Sequence, residues 1–171
     1  YSIADTLSLY DGGGLDLTVL GLGEIDEKGN VNVSKFGGGV TGPGGFINIS
    51  QNTENVIFTG TFTAGKLCER IEDGKPVIVQ EGKTKKFIKE VEQITFSGEY
   101  AVKNGQNVLI VTERAVFKLT EKGLKLIEIA PGINLQRDIL DQMDFTPVIE
   151  EPPIVMDPRI FRDELMRLTL K

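Results

Sequence analysis

The segment of this sequence best suited to chemistry is a glycine-rich run from Phe36 to Ile49, which holds six glycines within ten residues. Each glycine loses more backbone freedom on folding than any other residue would, so such a run indicates positive φ angles or the close approach of a ligand. The residues that follow predict a short helix, Gly45–Ser50, whose free N–H groups would suit an anionic or thioester oxygen. A flexible surface loop is the alternative. Because Val40, Thr41 and Pro43 stiffen the segment, we favour a shaped ligand loop.

Composition narrows the classes of partner. The 171 residues are 40% hydrophobic and 26% charged, which is typical of a globular domain with a core or of part of a larger one. The net charge of −6 argues against nucleic-acid or membrane-surface binding. The basic cluster Lys83–Lys86 is interpreted as a solvated strand end. No segment approaches the length of a transmembrane helix.

Cysteine and histidine usage excludes several catalytic centres. Cys68 is the one cysteine, so the chain can form no internal disulfide, and we expect a reducing, cytoplasmic compartment. The absence of histidine excludes a Ser–His–acid triad, a Cys–His pair and a histidine metal site within this chain, and no metal site is predicted. The first residue, Tyr1, is not Met, so we expect a fragment of a longer polypeptide.

The apolar patterning predicts a mixed α/β domain with more strand than helix. Residues 1–148 are expected to form the domain, and residues 149–171 a proline-containing tail with a short helix at Arg159–Leu168. The other predicted elements are a helix at Tyr1–Tyr10, strands at Leu15–Leu22, Asn55–Gly60, Phe87–Phe96 and Gln106–Thr112, hairpins turning at Asp26–Asn30, Glu72–Lys75 and Thr120–Gly123, and a helical apolar stripe at Leu135–Met143.

Several blocks of the sequence resemble family I coenzyme A transferases. Asp11–Gly21 resembles their Gly-Gly-x-x-Asp-Leu-Thr-x-Leu-Gly motif, and Gly42–Ile49 is similar to their Gly-Met-Gly-Gly-Ala-Met-Asp-Leu segment. Val111–Phe117 and Gly123–Ile129 resemble their Ile-Thr-Glu-x-Ala-Val-Phe and Gly-Leu-x-Leu-Ile-Glu blocks. The order and spacing agree over most of the chain, which makes coincidence a poor explanation. The nearest type is the acetate, propionate and 3-oxoacid transferases, and the chain would be the C-terminal part of their second half.

The resemblance implies an open mixed α/β sheet with flanking helices and a ping-pong reaction. A glutamate carboxylate would attack an acyl-CoA and carry coenzyme A as a thioester before transfer to a second carboxylic acid. The family would supply backbone oxyanion donors from Gly45, with Gly44 next. The remaining residues assigned to coenzyme A are Gly13, Gly14, Gly42, Phe46, Thr63 and Lys66, with Lys66 as a phosphate partner.

The sequence departs from the family at the nucleophile. The family's glutamate lies in a Glu-x-Gly-x-x-Gly context upstream of the first glycine block, and this sequence has no such motif. The resemblance therefore implies that the nucleophile belongs to polypeptide outside this chain, that the N-terminal half of the same enzyme is a partner, and that the chain alone is inactive. A homo-oligomer is also expected.

Other candidate residues have structural interpretations that we favour. Glu24 is interpreted as a solvated strand-end residue and Asp16 as a hydrogen-bonding partner of nearby backbone. Glu113 and Arg114 are interpreted as a structural ion pair. Cys68 lies beside an acid in a chain without histidine, so a reactive thiolate is not expected.

Three functions remain open: a CoA-transferase portion, a CoA-ester hydrolase on the same scaffold, and a non-catalytic nucleotide-binding α/β module. A Glu-x-Gly-x-x-Gly motif upstream would favour the two enzymes over the module. Dependence of CoA release on an added carboxylate would separate transferase from hydrolase.

Overall fold

The computed structural model describes residues 2–169, which form a mixed α/β domain. The helices are α1 (Ile3–Asp11), α2 (Phe46–Ser50) and α3 (Gly98–Lys103). The strands are β1 (Leu17–Gly21), β2 (Glu24–Ile25), β3 (Val31–Asn32), β4 (Lys35–Phe36), β5 (Gly39–Val40), β6 (Asn55–Thr59), β7 (Thr63–Ala64), β8 (Cys68–Glu72), β9 (Lys75–Gln80), β10 (Thr84–Lys85), β11 (Asn107–Val111), β12 (Ala115–Thr120), β13 (Gly123–Ile129) and β14 (Ile154–Val155).

One open sheet organises the domain, with strand order β1-β6-β11-β12-β13-β14. The β1, β6 and β11 strands are parallel, β12 is antiparallel to β11 and β13, and β14 is parallel to β13. Val56, Phe58, Val108 and Ile110 alternate along two of these strands and are at most 1% exposed, so they form the core face. The expected open mixed sheet is confirmed.

The edge strand β1 is only half covered. Thr18 is buried and Leu20 packs against the core, whereas Leu17 and Val19 are 54% and 57% exposed. Because successive side chains of a strand point to opposite faces, the second face of the sheet presents apolar side chains to solvent at this edge. In the part of the chain that the structure describes, no strand pairs with the outer edge of β1.

Local sequence signals explain the helix ends. Ser2 caps α1 through a capping box with Asp5, and the glycines after Asp11 end the helix. The predicted helix at Tyr1–Tyr10 is therefore present, although Tyr1 lies outside the described residues. Ser97 caps α3, a helix that the sequence patterning did not indicate.

Three other segments differ from their predictions. The predicted strand Phe87–Phe96 is wrong, because this segment makes only isolated bridges, through Phe87 and Phe96, to the second and third strands. The stripe in Leu135–Met143 is helical but irregular, with a π-helical turn at Leu135–Ile139 and a 3-10 turn at Leu140–Gln142. The tail forms a 3-10 turn at Pro158–Phe161 instead of the longer predicted helix.

The tail also adds β14 to the main sheet, and the proposed division at residue 148 stays a prediction. None of the helices in residues 2–169 is both long enough and apolar enough to cross a membrane.

Candidate functional site

The glycine-rich run forms two different structures. Its first half is a hairpin, β4–β5, turned at Gly37 and Gly38, whose φ angles of 56° and 78° favour glycine. The amide of Gly38 donates to Oε1 of Glu92 at 3.1 Å, and this bond helps to hold the pKa of the Glu92 carboxyl below its usual value. Three of the six glycines therefore lie in this hairpin, and two of them form its turn.

The second half is a shaped loop before α2. The amides of Thr41 and Gly42 donate to the carbonyl of Ser34 at 2.9 and 3.1 Å, and the amide of Phe46 donates to the carbonyl of Pro43 at 3.0 Å. Gly42 has a φ of 79°. Because these bonds tie the loop to Ser34, between β3 and β4, at one end and to the first residue of α2 at the other, it is not a flexible tether.

Two amides of this loop are free. Gly44 and Gly45 are consecutive, and neither amide has an acceptor among the described residues. Gly44 has a φ of 53° and is exposed, whereas Gly45 has a φ of −85° and is half-buried at the start of α2. Unpaired adjacent N–H groups next to partly buried backbone can donate hydrogen bonds to an oxygen of a ligand.

A pocket of about 230 Å³ adjoins the loop on the side of Gly42 and Pro43. Its apolar wall includes Val40, Ile47 and Ile94. The loop therefore borders this pocket through Gly42 and Pro43, whereas Gly44 and Gly45 are not among its lining residues.

The other predicted residues lie in different surroundings. Phe46 is buried and its ring stacks on Phe58 with 5.6 Å between centroids. Thr63 is fully buried and its hydroxyl donates to Glu81. Lys66 is exposed, with a φ of 74° that is unusual for a residue with a side chain.

The structure does not bring all of these residues together. Gly13 and Gly14 precede Leu17, which pairs with Asn55 at the amino ends of the parallel strands β1 and β6. Thr63 and Lys66 follow the carboxyl end of β6, so roughly 13 Å of strand separates the two groups. We call that second end, where β1, β6 and β11 finish, the carboxyl edge.

A buried arginine organises the carboxyl edge. Arg114 is fully buried; its Nε donates to Oε1 of Glu113 at 2.6 Å and its Nη1 to Oε2 of Glu81 at 2.7 Å. The Nη1 atom also donates to the carbonyl of Asp138 at 3.1 Å, and the guanidinium lies 5.1 Å from the centre of the Phe62 ring. Burial alone would lower the pKa of Arg114, but the bonds to the two glutamates raise it.

The same network positions the backbone after β6. The amide of Phe62 donates to Oε2 of Glu113 at 2.8 Å. Burial alone would raise the pKa of Glu81, but hydrogen bonds from Arg114 and Thr63 hold it below its usual value. The structure confirms the ion pair between Glu113 and Arg114, and adds Glu81, which the sequence reasoning did not identify.

A second buried cation lies close by. Lys86 is 8% exposed, and its amine has no hydrogen-bond or salt-bridge partner within residues 2–169. A Cβ placed on Gly60, the residue after β6, would lie 2.9 Å from Nζ of Lys86. Burial lowers the pKa of this amine, and the charge of Glu113 opposes that effect. The interpretation of Lys83–Lys86 as a solvated strand end is therefore wrong at Lys86.

The remaining candidates have ordinary surroundings. Glu24 accepts from the Asn32 side-chain amide at 2.7 Å and from the amide of Glu92 at 3.0 Å. Cys68 is exposed, and burial followed by the charge of Glu113 raises the pKa of its neighbour Glu69. Among the described residues, no group of three cysteine or acidic side chains is arranged to hold a metal ion.

Comparison with known proteins identifies the family. The chain is 58% identical over 162 residues to the caffeate CoA-transferase of Acetobacterium woodii, and the match covers 91% of this chain and 30% of that protein. It is 56% identical over 161 residues to the acetate CoA-transferase YdiF of Escherichia coli (strain K12), with 94% and 30% covered. These matches confirm the resemblance to the family I CoA-transferases.

Solved structures of this CoA-transferase family share its fold. The acyl-CoA transferase YdiF of Escherichia coli O157:H7, solved as the apoenzyme and as a thioester complex with CoA, superposes with a TM-score of 0.96 at 53% identity. Each superposition covers 99% of this chain and 33% of that one. The chain thus spans about 30% of the length of the curated CoA-transferases that it matches. No protein-family model matches it.

Proposed function

We propose that this chain is the C-terminal portion of an acyl-CoA:carboxylate CoA-transferase acting on short-chain acyl or 3-oxoacid substrates, a chemistry that includes ketone-body acids. One observation carries the proposal: the adjacent amides of Gly44 and Gly45 have no acceptor among residues 2–169, in a loop tied at both ends. Relatives at 56–58% identity that are named CoA-transferases support it.

The two amides would hold the oxyanion of each tetrahedral intermediate. Attack on a thioester or an anhydride places negative charge on a former carbonyl oxygen, and donors fixed in advance lower the cost of that charge. Gly45 is the first donor in this proposal, because it is half-buried and occupies the N-cap position of α2. Gly44 is the second.

The nucleophile in this proposal is a glutamate outside this chain. A carboxylate that becomes a glutamyl-CoA thioester conserves the energy of the acyl-CoA bond, which water would dissipate. The polypeptide that carries it would be the N-terminal half of the same enzyme. The exposed side chains of Leu17 and Val19, together with the unpaired edge of β1, support an additional layer of polypeptide at that side of the sheet.

Coenzyme A is the proposed substrate, and we place its binding site along the glycine-rich loop and the segment that follows β6. Lys66, held exposed at a positive φ, would pair with a phosphate, and the backbone near Thr63 would border the pantetheine. Gly42 and Phe46 would shape the loop around the thioester, and Gly13 and Gly14 would contact a more distant part of the ligand. A cytoplasmic homo-oligomer completes the proposal, in agreement with a single free cysteine.

The test replaces the proposed donor without changing the loop's shape. Gly45 has a φ of −85°, and an added Cβ would meet Ile49 and Leu7 at 3.5 Å, which is ordinary contact. Gly45→Pro adds a Cβ and removes the N–H, whereas Gly45→Ala adds the Cβ and keeps the N–H. In the complete enzyme, we expect Gly45→Pro to slow formation of the enzyme–CoA thioester by roughly 10²–10³ relative to Gly45→Ala.

Circular dichroism of both variants checks that the loop substitution leaves the fold intact. Equal thioester formation by the two variants would remove Gly45 from the mechanism. Release of CoA without any added carboxylate would favour the hydrolase alternative, and complete absence of a thioester after incubation with acyl-CoA would favour a non-catalytic module.

A further inference from the structure

We propose that the amine of Lys86 is a binding site for a carboxylate that this chain does not itself supply. The inference rests on the proposed transferase function only for the identity of that carboxylate, because the site is defined by the surroundings of Lys86. The carboxylate would belong either to the free acid substrate or to the nucleophilic glutamate.

The amine is buried but uncompensated. Gln106 Oε1 is the one fully buried side-chain polar atom without a partner among the described residues, so Nζ of Lys86, which also has no partner, keeps some contact with solvent. The amine is therefore reachable from solvent although most of the side chain is buried. Taking an amine out of water without a partner is costly, which makes this arrangement a poor structural choice.

The acidic side chains near Lys86 bond to other groups. Glu113 attracts Lys86, yet its Oε1 accepts from Arg114 and its Oε2 accepts from the amide of Phe62. Glu24 is bonded to Asn32 and to the amide of Glu92. Neither carboxylate forms an ion pair with Lys86, so this amine is open to a carboxylate from elsewhere.

The location also fits a ligand. Lys86 lies beside Gly60, the first residue after β6, and its carbonyl accepts from the amide of Ile25 just beyond β1. In open α/β sheets, ligands bind outside the carboxyl ends of parallel strands. A single ammonium on a largely buried side chain suits a flat, singly charged carboxylate better than a phosphate, which usually requires several donors.

The first experiment uses this 171-residue chain and acetate as the probe. Sodium acetate is compared with sodium chloride at equal ionic strength, and Tm is measured for wild type, Lys86→Met and Lys83→Met. Methionine matches the length of lysine without its charge, and Lys83 is an exposed residue of the same cluster. We expect Tm to be higher in acetate than in chloride for wild type and for Lys83→Met, because a bound ligand stabilises the folded chain by RT ln(1 + [L]/Kd). For Lys86→Met, we expect the same Tm in both salts.

The second experiment identifies the source in the complete enzyme. If the carboxylate is the free acid, Lys86→Met raises the KM for acetate by roughly 10–100-fold and leaves thioester formation from acyl-CoA unchanged. If it is the nucleophilic glutamate, thioester formation slows by a similar factor and the KM for acetate is kept. Lys83→Met should match wild type in both measurements.

The proposal is overturned if acetate and chloride act alike on wild type, or if Lys86→Met keeps the full acetate effect. It is also overturned if Lys86→Met leaves both half-reactions within twofold of wild type. An enzyme without transferase turnover, combined with an acetate effect that depends on Lys86, would refute the proposed function and leave the carboxylate site standing.

Discussion

Arg114 and Lys86 are two buried cations at the carboxyl edge of the sheet, and they differ in the partners that the chain gives them. Arg114 is fully buried and bonded to Glu113, Glu81 and a backbone carbonyl. Lys86 is 8% exposed and has no partner within the described residues. Because burying an unpaired charge is costly, a complete network indicates a structural role, whereas the unpartnered amine is the basis of the proposed carboxylate site.

The pKa shifts express the same contrast. Burial lowers the pKa of a cation, and it acts in this direction on both groups. At Arg114 the bonds to two carboxylates outweigh burial, so the pKa is raised. At Lys86 the distant charge of Glu113 is insufficient, and the pKa is lowered. One cation therefore stabilises the fold in its charged form, and the other destabilises it.

Removing the partnered cation should have the largest effect. Arg114→Met leaves Glu113 and Glu81 partly buried without their partner, so we expect a loss of about 3–5 kcal/mol in the free energy of unfolding. Urea denaturation followed by circular dichroism measures it. Arg70→Met is the matched control, because Arg70 pairs with Glu72 at the surface and should lose about 0–1 kcal/mol. Equal losses in the two variants would contradict a structural network at Arg114.

The next effect concerns the acid half of that network. Glu81→Gln places an amide N–H₂ against Arg114, and we expect a loss of about 1–3 kcal/mol at neutral pH. The folded pKa of Glu81 lies below its usual value. The wild type therefore keeps this contribution above the unfolded pKa of about 4.3 and loses it as the pH falls through the folded value.

Urea titrations at several acidic pH values check this sign. The difference in stability between wild type and Glu81→Gln should shrink as the pH is lowered. A difference that grows toward low pH would show that Glu81 is protonated in the folded chain, and the contrast with Lys86 would then fail.

The sequence alone predicted the sheet and most of its hairpins. Strands such as Asn55–Thr59 and Asn107–Val111 carry unbroken apolar runs, and the glycine-containing turns between paired strands mark their ends. The family resemblance is confirmed by relatives at 56–58% identity. The assignments of Gly44, Gly45 and the other ligand residues stay predictions.

What the sequence could not show depends on contacts between distant segments. Phe87 and Phe96 suggested a strand, but they serve as isolated core anchors with exposed acids between them. Glu81 and Arg114 are 33 residues apart, and only the fold brings them together. Lys86 follows two other basic residues, so local composition indicates solvent exposure, whereas the fold buries it with its amine beside Gly60.

Crowding at Gly60 tests the packing around the unpartnered cation. A Cβ there would lie 2.9 Å from Nζ of Lys86 and 3.2 Å from the carbonyl oxygen of Leu22, so Gly60→Ala should cost about 1–2 kcal/mol in stability. Gly21→Ala is the control, because a Cβ at Gly21 meets nothing within 4 Å.

Combining Gly60→Ala with Lys86→Ala should relieve part of that cost, since the shorter side chain removes one of the three close contacts. Strict additivity of the two substitutions in urea denaturation would mean that Lys86 does not lie against Gly60 in solution.

The smallest expected effect is the alkaline stability profile of Lys86 itself. Because its folded pKa is lowered, the unfolded chain binds this proton more tightly, and the wild type should gain stability as the pH rises toward the ordinary lysine value of about 10.4. Lys86→Met has no such proton to lose, so it should start more stable at neutral pH, by under about 1 kcal/mol, and the gap should close with rising pH. Thermal unfolding from pH 7 to 10 measures the difference, with Lys83→Met as the control for the other titrating groups. A gap that widens with pH would mean that the charged form of Lys86 stabilises the fold, as the charged form of Arg114 does.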